Sequence, residues 1–306
     1  MFNKENHISI CVPTFNRNRM LERLIRSLAL QETEDLFSFS IVVIDNAPGG
    51  PAQKVVERLR KELGLEIAYG MEPVQTIPAA RNHGLRLAHG KYIGILDDDE
   101  FAPRHWLVTL YRAIQTFEVE GALGPVNPFF EKEPPVWLVK SQFCERKIYQ
   151  TGTILQWDQT RTGNVLIKRE VFDQNNLWFD ENYKTGGSDR EFFKQAMKLG
   201  CRFVAVEEAP VYETVPPERW TKKYYLKRAL VNGFNSYKNI KGQGNKFTAV
   251  IDPLKSIGAL MAYALAFPIY LFVGTHMIMR VLEKGGHHMS HLLAMLGIEL
   301  VKKRNF

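Results

Sequence analysis

Cysteine is scarce: Cys11, Cys144 and Cys201 are the only three in 306 residues, far apart and in no CxxC pair. That excludes a disulfide framework and a thiolate zinc site, and it fits a reducing cytoplasm. GxGxxG, GxxxxGKS/T, GxSxG and HExxH are also missing. Dinucleotide oxidoreductases, P-loop enzymes, serine hydrolases and zincins lose their usual signatures with them. The chain opens with no basic region followed by an apolar stretch of signal-peptide length, so export is not expected. Neither an internal repeat nor a low-complexity tract is visible.

What is present is a chain 45% apolar with a formal net charge of +7. Such a chain can bury a core, and its charge suits nucleic acid, a phosphorylated small molecule or an anionic membrane surface. Short β-rich runs alternate with helix-like runs through the first two thirds. "ISICVPTF" (8–15) reads as a buried strand, and "RMLERLIRSLALQ" (19–31) puts Leu21, Leu24, Ile25 and Leu28 on one helical face. Next come a strand ending at Asp45, a helix stopped by Gly64 and the strand "LEIAYG". A helix with Pro78 in its first turn and Gly90 past its end then leads into the strand "KYIGIL". Further on, "RHWLVTLYRAIQTF" reads as a helix, "GALGPVNP" as one strand, and "TGNVLIKREVF" as a strand leading into a short helix. The alternation predicts an α/β fold of right-handed βαβ units with a mainly parallel sheet, whose ligands bind at the carboxyl ends of the strands.

That rule gives meaning to the acids. Asp45 and Asp97 both fall where a strand stops. Asp97, Asp98, Asp99 and Glu100 are consecutive, and adjacent like charges repel. A turn needs one such residue, whereas a hard divalent cation such as Mg²⁺ or Mn²⁺ takes one or two carboxylates together with phosphate oxygens. Asp45 with Asn46 reads equally as a turn former. In "GGSDREFFKQAMKL", Ser188 reads as a helix N-cap. Asp189 then falls in the first turn, where an acid complements the helix dipole, and Phe192, Phe193, Ala196, Met197 and Leu199 form the apolar face.

Taken together, "VPTFNR", "VVIDNAP", "ARNHGLRLAHGKYIGILDDDE" and the later "GGSDREFF" resemble a family 2 glycosyltransferase of the GT-A fold, over about the first 220 residues. The strongest part is the ordered set Arg81, Asn82, Gly84, Ala88, Gly90 and Asp97-Asp98-Asp99, in which the three aspartates stand as the DxD motif. The resemblance implies a nucleotide-sugar donor, UDP-linked, with Pro13 and Phe15 near base and ribose. It implies that Asp45 and Asn46 contact the nucleoside, that Arg81 lies beside base or phosphate, and that Asp97 and Asp98 face the donor. A divalent metal, Mn²⁺ or Mg²⁺, would be held by Asp99 with Asp97, neutralising charge on the leaving diphosphate. Asp189 would be the base of an inverting displacement, and Ser188 stands where the family usually has Glu. Gly163 and Asn164 would border the acceptor side of the cleft, or simply start a strand. Relatives carry a metal-binding His near Tyr212, where Glu213 is the nearest candidate here. Arg219 either touches pyrophosphate or belongs to a solvated basic helix.

The expected organisation is a catalytic domain over 1–220 and a helical, membrane-associating region over 221–306. Residues 256–279 hold no Asp, Glu, Lys or Arg, and Lys255 and Arg280 flank them. The run reads either as a hairpin broken at Pro268 and buried in a core, or as a segment in contact with lipid. The aromatics Tyr263, Phe267, Tyr270 and Phe272 favour lipid. A full crossing would leave "VKKRNF" outside, against the tendency of basic residues to stay in the cytoplasm. Monotopic or re-entrant attachment to the cytoplasmic face is therefore expected, with basic residues of 219–241 against anionic headgroups. No groove-binding module accompanies the basic stretch, so nucleic acid is not expected. His287, His288 and His291 lack an acidic partner in sequence and read as incidental. The activity expected is sugar transfer to a glycan or lipid-linked acceptor in cell-surface polysaccharide or glycolipid synthesis. A sugar nucleotidyltransferase and a non-catalytic, membrane-bound glycan-binding or nucleotide-binding scaffold are the alternatives.

Overall fold

A computed structural model of the chain describes residues 6–174, 176–183, 186–242, 246–298 and 300. In chain order the elements begin β1 (His7–Thr14), α1 (Asn18–Leu28), β2 (Ser38–Asp45), α2 (Gln53–Leu63), β3 (Ile67–Met71), α3 (Ile77–Leu87) and β4 (Tyr92–Ile95). They continue with β5 (Glu100–Phe101), α4 (Trp106–Phe117), β6 (Gly121–Leu123), β7 (Val126–Phe129), α5 (Val136–Ser141), β8 (Val165–Lys168) and α6 (Glu170–Asp173). The last are α7 (Ser188–Lys198), β9 (Phe203–Ala205), β10 (Val211–Thr214), α8 (Lys222–Gly242), α9 (Lys246–Val273) and α10 (Thr275–Met295). The residues fall into two compact units, one of Met1–Phe129 with Arg146–Thr214, the other of Phe130–Glu145 with Val215–Phe306.

The first unit is built on a seven-stranded sheet in the order β3-β2-β1-β4-β8-β6-β9. β1 to β4 run parallel, as the strand–helix alternation predicts, while β8 enters antiparallel between β4 and β6. Alternation along β1 divides the core: Ile8, Ile10 and Val12 pack into one apolar layer and Cys11 into the other. Leu21, Leu24, Ile25 and Leu28 of α1 are all fully buried in the first layer, where each side chain contributes roughly 1.5–3 kcal/mol. α2 ends on Gly64 in the left-handed region at φ 63°, the terminator its position suggests. Gly90 is required by close approach, because a Cβ there would stand 2.5 Å from the Ser9 nitrogen.

Two expectations need correction. Residues 121–129 form two strands, because Gly124-Pro125 ends the pairing of β6 and passes the chain to a second, three-stranded sheet ordered β5-β10-β7. Leu199 is 54% exposed just past the end of α7, so the apolar face of that helix stops at Ala196 and Met197.

The second unit is helical. α8 and α10 pack together, and Tyr225 stacks on Phe143 at 4.7 Å with its hydroxyl 3.1 Å from the Cys144 sulfur. α9 runs through Pro253 and Pro268 and stops before Gly274, so the break that the buried-hairpin reading put at Pro268 lies six residues later at a glycine. The basic run at 301–306 lies outside the described residues.

Candidate active site

The acid run is where the chain leaves one sheet for the other. β4 ends at Ile95, and after Asp97, Asp98 and Asp99 the chain enters β5, which pairs Glu100 with Glu213 of β10. The carboxyl ends of β1, β2 and β4 therefore share an edge with the start of the small sheet.

Each acid of the run has its own task. Asp98 is 4% exposed: Thr14 Oγ1 donates to it at 2.8 Å, Phe15 N at 3.3 Å and Arg17 Nη1 at 2.8 Å. It thereby ties the end of β1, beside Pro13, to the acidic turn. Asp99 accepts from the same Arg17 nitrogen at 2.9 Å. Asp97, the most exposed of the three, accepts from Arg81 Nη2 at 3.2 Å. Glu100 is buried, and its Oε2 accepts the Asp97 N–H at 3.0 Å. Gly163 backs directly onto it, since a Cβ at that position would lie 2.7 Å from Glu100 Oε1. Glu213 is ion-paired with Arg146.

Burial dominates the electrostatics. It pushes Asp99 up to about 7, reinforced by Asp97, Glu213 and Asp98 and opposed by Arg17. Glu100 lies well above the usual carboxylate range, through burial first and Asp97 next. Arg17 holds its proton more firmly than usual although burial works against it, because Asp98 and Asp99 outweigh that cost. Asp97 and Asp99 offer hard carboxylate oxygens in the chemistry that Mg²⁺ or Mn²⁺ takes, so the donor set fits such an ion.

The other expected residues divide into those with groups to spare and those already engaged. Asp45 is fully buried, with Oδ1 accepting Ala47 N at 3.0 Å and Oδ2 accepting Ala52 N at 2.7 Å and Tyr69 Oη at 3.2 Å. Asn46 donates to the carbonyls of Glu72 and Val74, both at 2.8 Å. This pair shapes the loop after β2. Asn164 is likewise fully buried, at φ 61°, donating to the carbonyls of Pro125 and Ala209 and accepting from Trp106 Nε1 at 2.6 Å. Gly187, at φ 98°, is the residue that precedes α7, so Ser188 is its first helical residue instead of its cap and is 2% exposed. Asp189 follows, half-buried, in the first turn. Arg81 is 7% exposed, and its Nε is buried without a partner. Neighbouring Asn82 clamps the loop carrying Phe179 by accepting its N–H at 2.9 Å and donating to its carbonyl at 2.8 Å.

Sequence reasoning passed over Arg17, the contact of Glu100 with the Asp97 N–H and the pairing of Glu213 with Arg146. Arg17 had a signal, being a basic residue three positions past the end of β1. The other two depend on the pairing of β5 with β10, which brings together residues more than a hundred positions apart. Among the described residues a separate group of metal-ligating types lies at the amino ends of the strands: His7, Glu66 and His89. The two imidazoles stack at 4.5 Å, and the ring nitrogens of His7 already meet the hydroxyls of Ser38 and Ser40 at 2.8 Å.

A mixed seven-stranded sheet with a parallel nucleotide-binding half and an acidic crossover to a small second sheet is the architecture of the GT-A class. Solved structures agree: S. aureus TarS residues 1–349 in complex with UDP matches with a TM-score of 0.56 at 16% identity, covering 95% of this chain and 92% of that one. The family model for glycosyl transferase family 2 matches residues 9–175. Succinoglycan biosynthesis protein ExoM of Rhizobium meliloti (strain 1021) is 31% identical over 237 residues, which is 76% of this chain and 75% of that protein. Chondroitin synthase of Pasteurella multocida (strain Pm70) is 25% identical over 250 residues, 70% of this chain but only 25% of that longer protein. The chain belongs to glycosyltransferase family 2 and is a transferase.

Proposed function

We propose that the chain is an inverting, metal-dependent glycosyltransferase that moves a sugar from a UDP-sugar to a glycan or lipid-linked acceptor in cell-surface polysaccharide or glycolipid synthesis. The observation that carries this reading is the pairing of Asp97 and Asp99 with Arg81 and Arg17 at the sheet crossover. A divalent ion held by Asp97 and Asp99 would supply positive charge to the departing diphosphate. Arg81 and Arg17 flank the same acids and would meet the same phosphates, while Pro13 and Phe15 border the base and ribose. Asp189 takes the proton from the acceptor hydroxyl as it attacks the anomeric carbon. Support for the donor comes from the similar TarS structures, which were solved with UDP and with UDP-GlcNAc. The name of ExoM, succinoglycan biosynthesis protein, supports polysaccharide synthesis.

The second unit attaches the enzyme to the cytoplasmic face of the membrane. Ile251–Val273 is the one stretch among the described residues that is long and apolar enough to cross a bilayer, and 6% of it is buried. Leu265 is 79% exposed and Phe272 91%. At about 1.5 Å per residue the helix reaches about the thickness of a ~30 Å hydrocarbon core. Lys222, Lys223, Lys227 and Arg228 of α8 supply charge for anionic headgroups.

The test is product analysis by mass spectrometry with a panel of nucleotide sugars and lipid-linked acceptors, with Mn²⁺ or with EDTA. Metal-dependent transfer of one sugar supports the reading. Release of pyrophosphate from UTP and a sugar phosphate would identify a nucleotidyltransferase instead.

A further inference from the structure

Beyond the acids, the first unit has a basic cavity of its own. It opens where β6 and β9 end, as a small depression partly open to solvent. Arg146, Lys147 and Arg161 line it together with Tyr149, Gln159 and Leu155, and no carboxylate is among its lining residues.

The three cations are not equivalent. Arg146 is matched by Glu213. The Lys147 ammonium sits 4.8 Å over the Tyr149 ring. Arg161 is half-buried and makes no hydrogen bond or ion pair with a described residue. Burial, followed by the like charge of Arg146, weakens its hold on its proton, and Asp189 acts in the opposite sense. A half-buried guanidinium beside another cation and without an ion-pair partner among the described residues is costly to keep. The cavity also reaches the helix of the base: Gln159 belongs to the turn that packs on α7, where Lys194 lies 5.5 Å over the Trp157 ring.

We propose that this cavity is an acceptor site for an anionic sugar, in which Arg161 and Lys147 bind a carboxylate or phosphate carried by the acceptor and so present a neighbouring hydroxyl to Asp189. The proposal rests on the reading of Asp189 as the base. Tyr149 and Gln159, whose Oε1 already accepts the Gln156 N–H at 2.8 Å, line the same cavity and would meet the neutral hydroxyls of the same sugar. Acid recognition here is separate from diphosphate recognition, which lies with Asp97, Asp99, Arg17 and Arg81.

The test is a binding comparison on the full chain in detergent, with the donor site saturated by UDP and Mn²⁺. The probes are p-nitrophenyl β-glucuronide, glucose 1-phosphate and p-nitrophenyl β-glucoside. At least one anionic probe should bind about tenfold more tightly than the neutral glucoside, the size expected for a charge-assisted contact, and the tighter of the two tells carboxylate from phosphate. Arg161→Gln should abolish that preference, Arg161→Lys should retain most of it, and Lys147→Gln, at an exposed position, should reduce it severalfold. Equal affinities for all three probes, no binding of any, or a preference that survives Arg161→Gln overturns the proposal. Titration of UDP itself is the separate control: failure there counts against the donor reading, and unequal probes with normal UDP binding cannot arise from it.

Discussion

Arg17 gives one nitrogen to two acids: Nη1 lies 2.9 Å from Asp99 Oδ2 and 2.8 Å from Asp98 Oδ1. The protein thus holds an internal cation beside the carboxylates proposed to take a metal. Removing it strands buried negative charge. Because Arg17 is 38% exposed at its side chain, solvent screens part of the loss, and Arg17→Gln should cost about 1–2 kcal/mol. Mn²⁺ should restore more stability to Arg17→Gln than to the parent, read as the metal-induced rise in Tm for each.

Asp99 sets a pH dependence. Its folded pKa, about 7, lies above its unfolded value near 3.8, so the folded state binds the proton more readily between the two. In EDTA, stability from this group is complete below about pH 4 and is lost as pH rises through 7. Mn²⁺ competes with that proton, so its stabilising effect should be small at pH 5.5 and large at pH 8. Thermal unfolding across this range checks both trends, and Asp99→Asn should flatten them.

Asp189 should separate binding from chemistry. Asp189→Asn keeps shape and removes the base, so transfer should fall ~10²–10⁴-fold while UDP affinity holds. Activity near that of the parent would make Asp189 an N-terminal helix charge and nothing more.

Asn164 should behave as a structural residue. Its amide fills hydrogen bonds to Pro125, Ala209 and Trp106 with no exposure to solvent. Asn164→Ala strands those partners and should cost about 2–4 kcal/mol, measured by denaturant unfolding.

The exposed face of α9 should carry membrane binding. Leu254, Met261, Leu265 and Phe272 are each more than 60% exposed, so charged replacements there leave the packed core untouched. Leu265→Glu with Phe272→Glu should release the chain from anionic vesicles in a flotation assay. Unchanged flotation would assign the attachment elsewhere.

Periodicity made much of the first unit legible in advance. The face of α1 and the stop at Gly64 follow from spacing and turn chemistry, which are local. Asp97 to Glu100 stood out because four adjacent acids have no cheap structural explanation. The antiparallel insertion of β8 and the division of 121–129 between two sheets depend on long-range pairing that no local pattern encodes. The same limit hid the pairing of Glu213 with Arg146 and the place of Arg161 in the cavity. A polar residue at a strand end carries the same sequence signal whether it faces a ligand or fastens a loop, so the loop hydrogen bonds of Asp45 and Asn164 were not legible in advance.

If Asp97 and Asp99 hold a cation that in turn holds the donor diphosphate, UDP affinity must depend on metal, which calorimetric titration of UDP in Mn²⁺ and in EDTA measures. Binding should be at least tenfold weaker in EDTA, and an Asp99→Ala protein should bind weakly and equally in both. Equal UDP affinity of the unaltered chain with and without metal would contradict it.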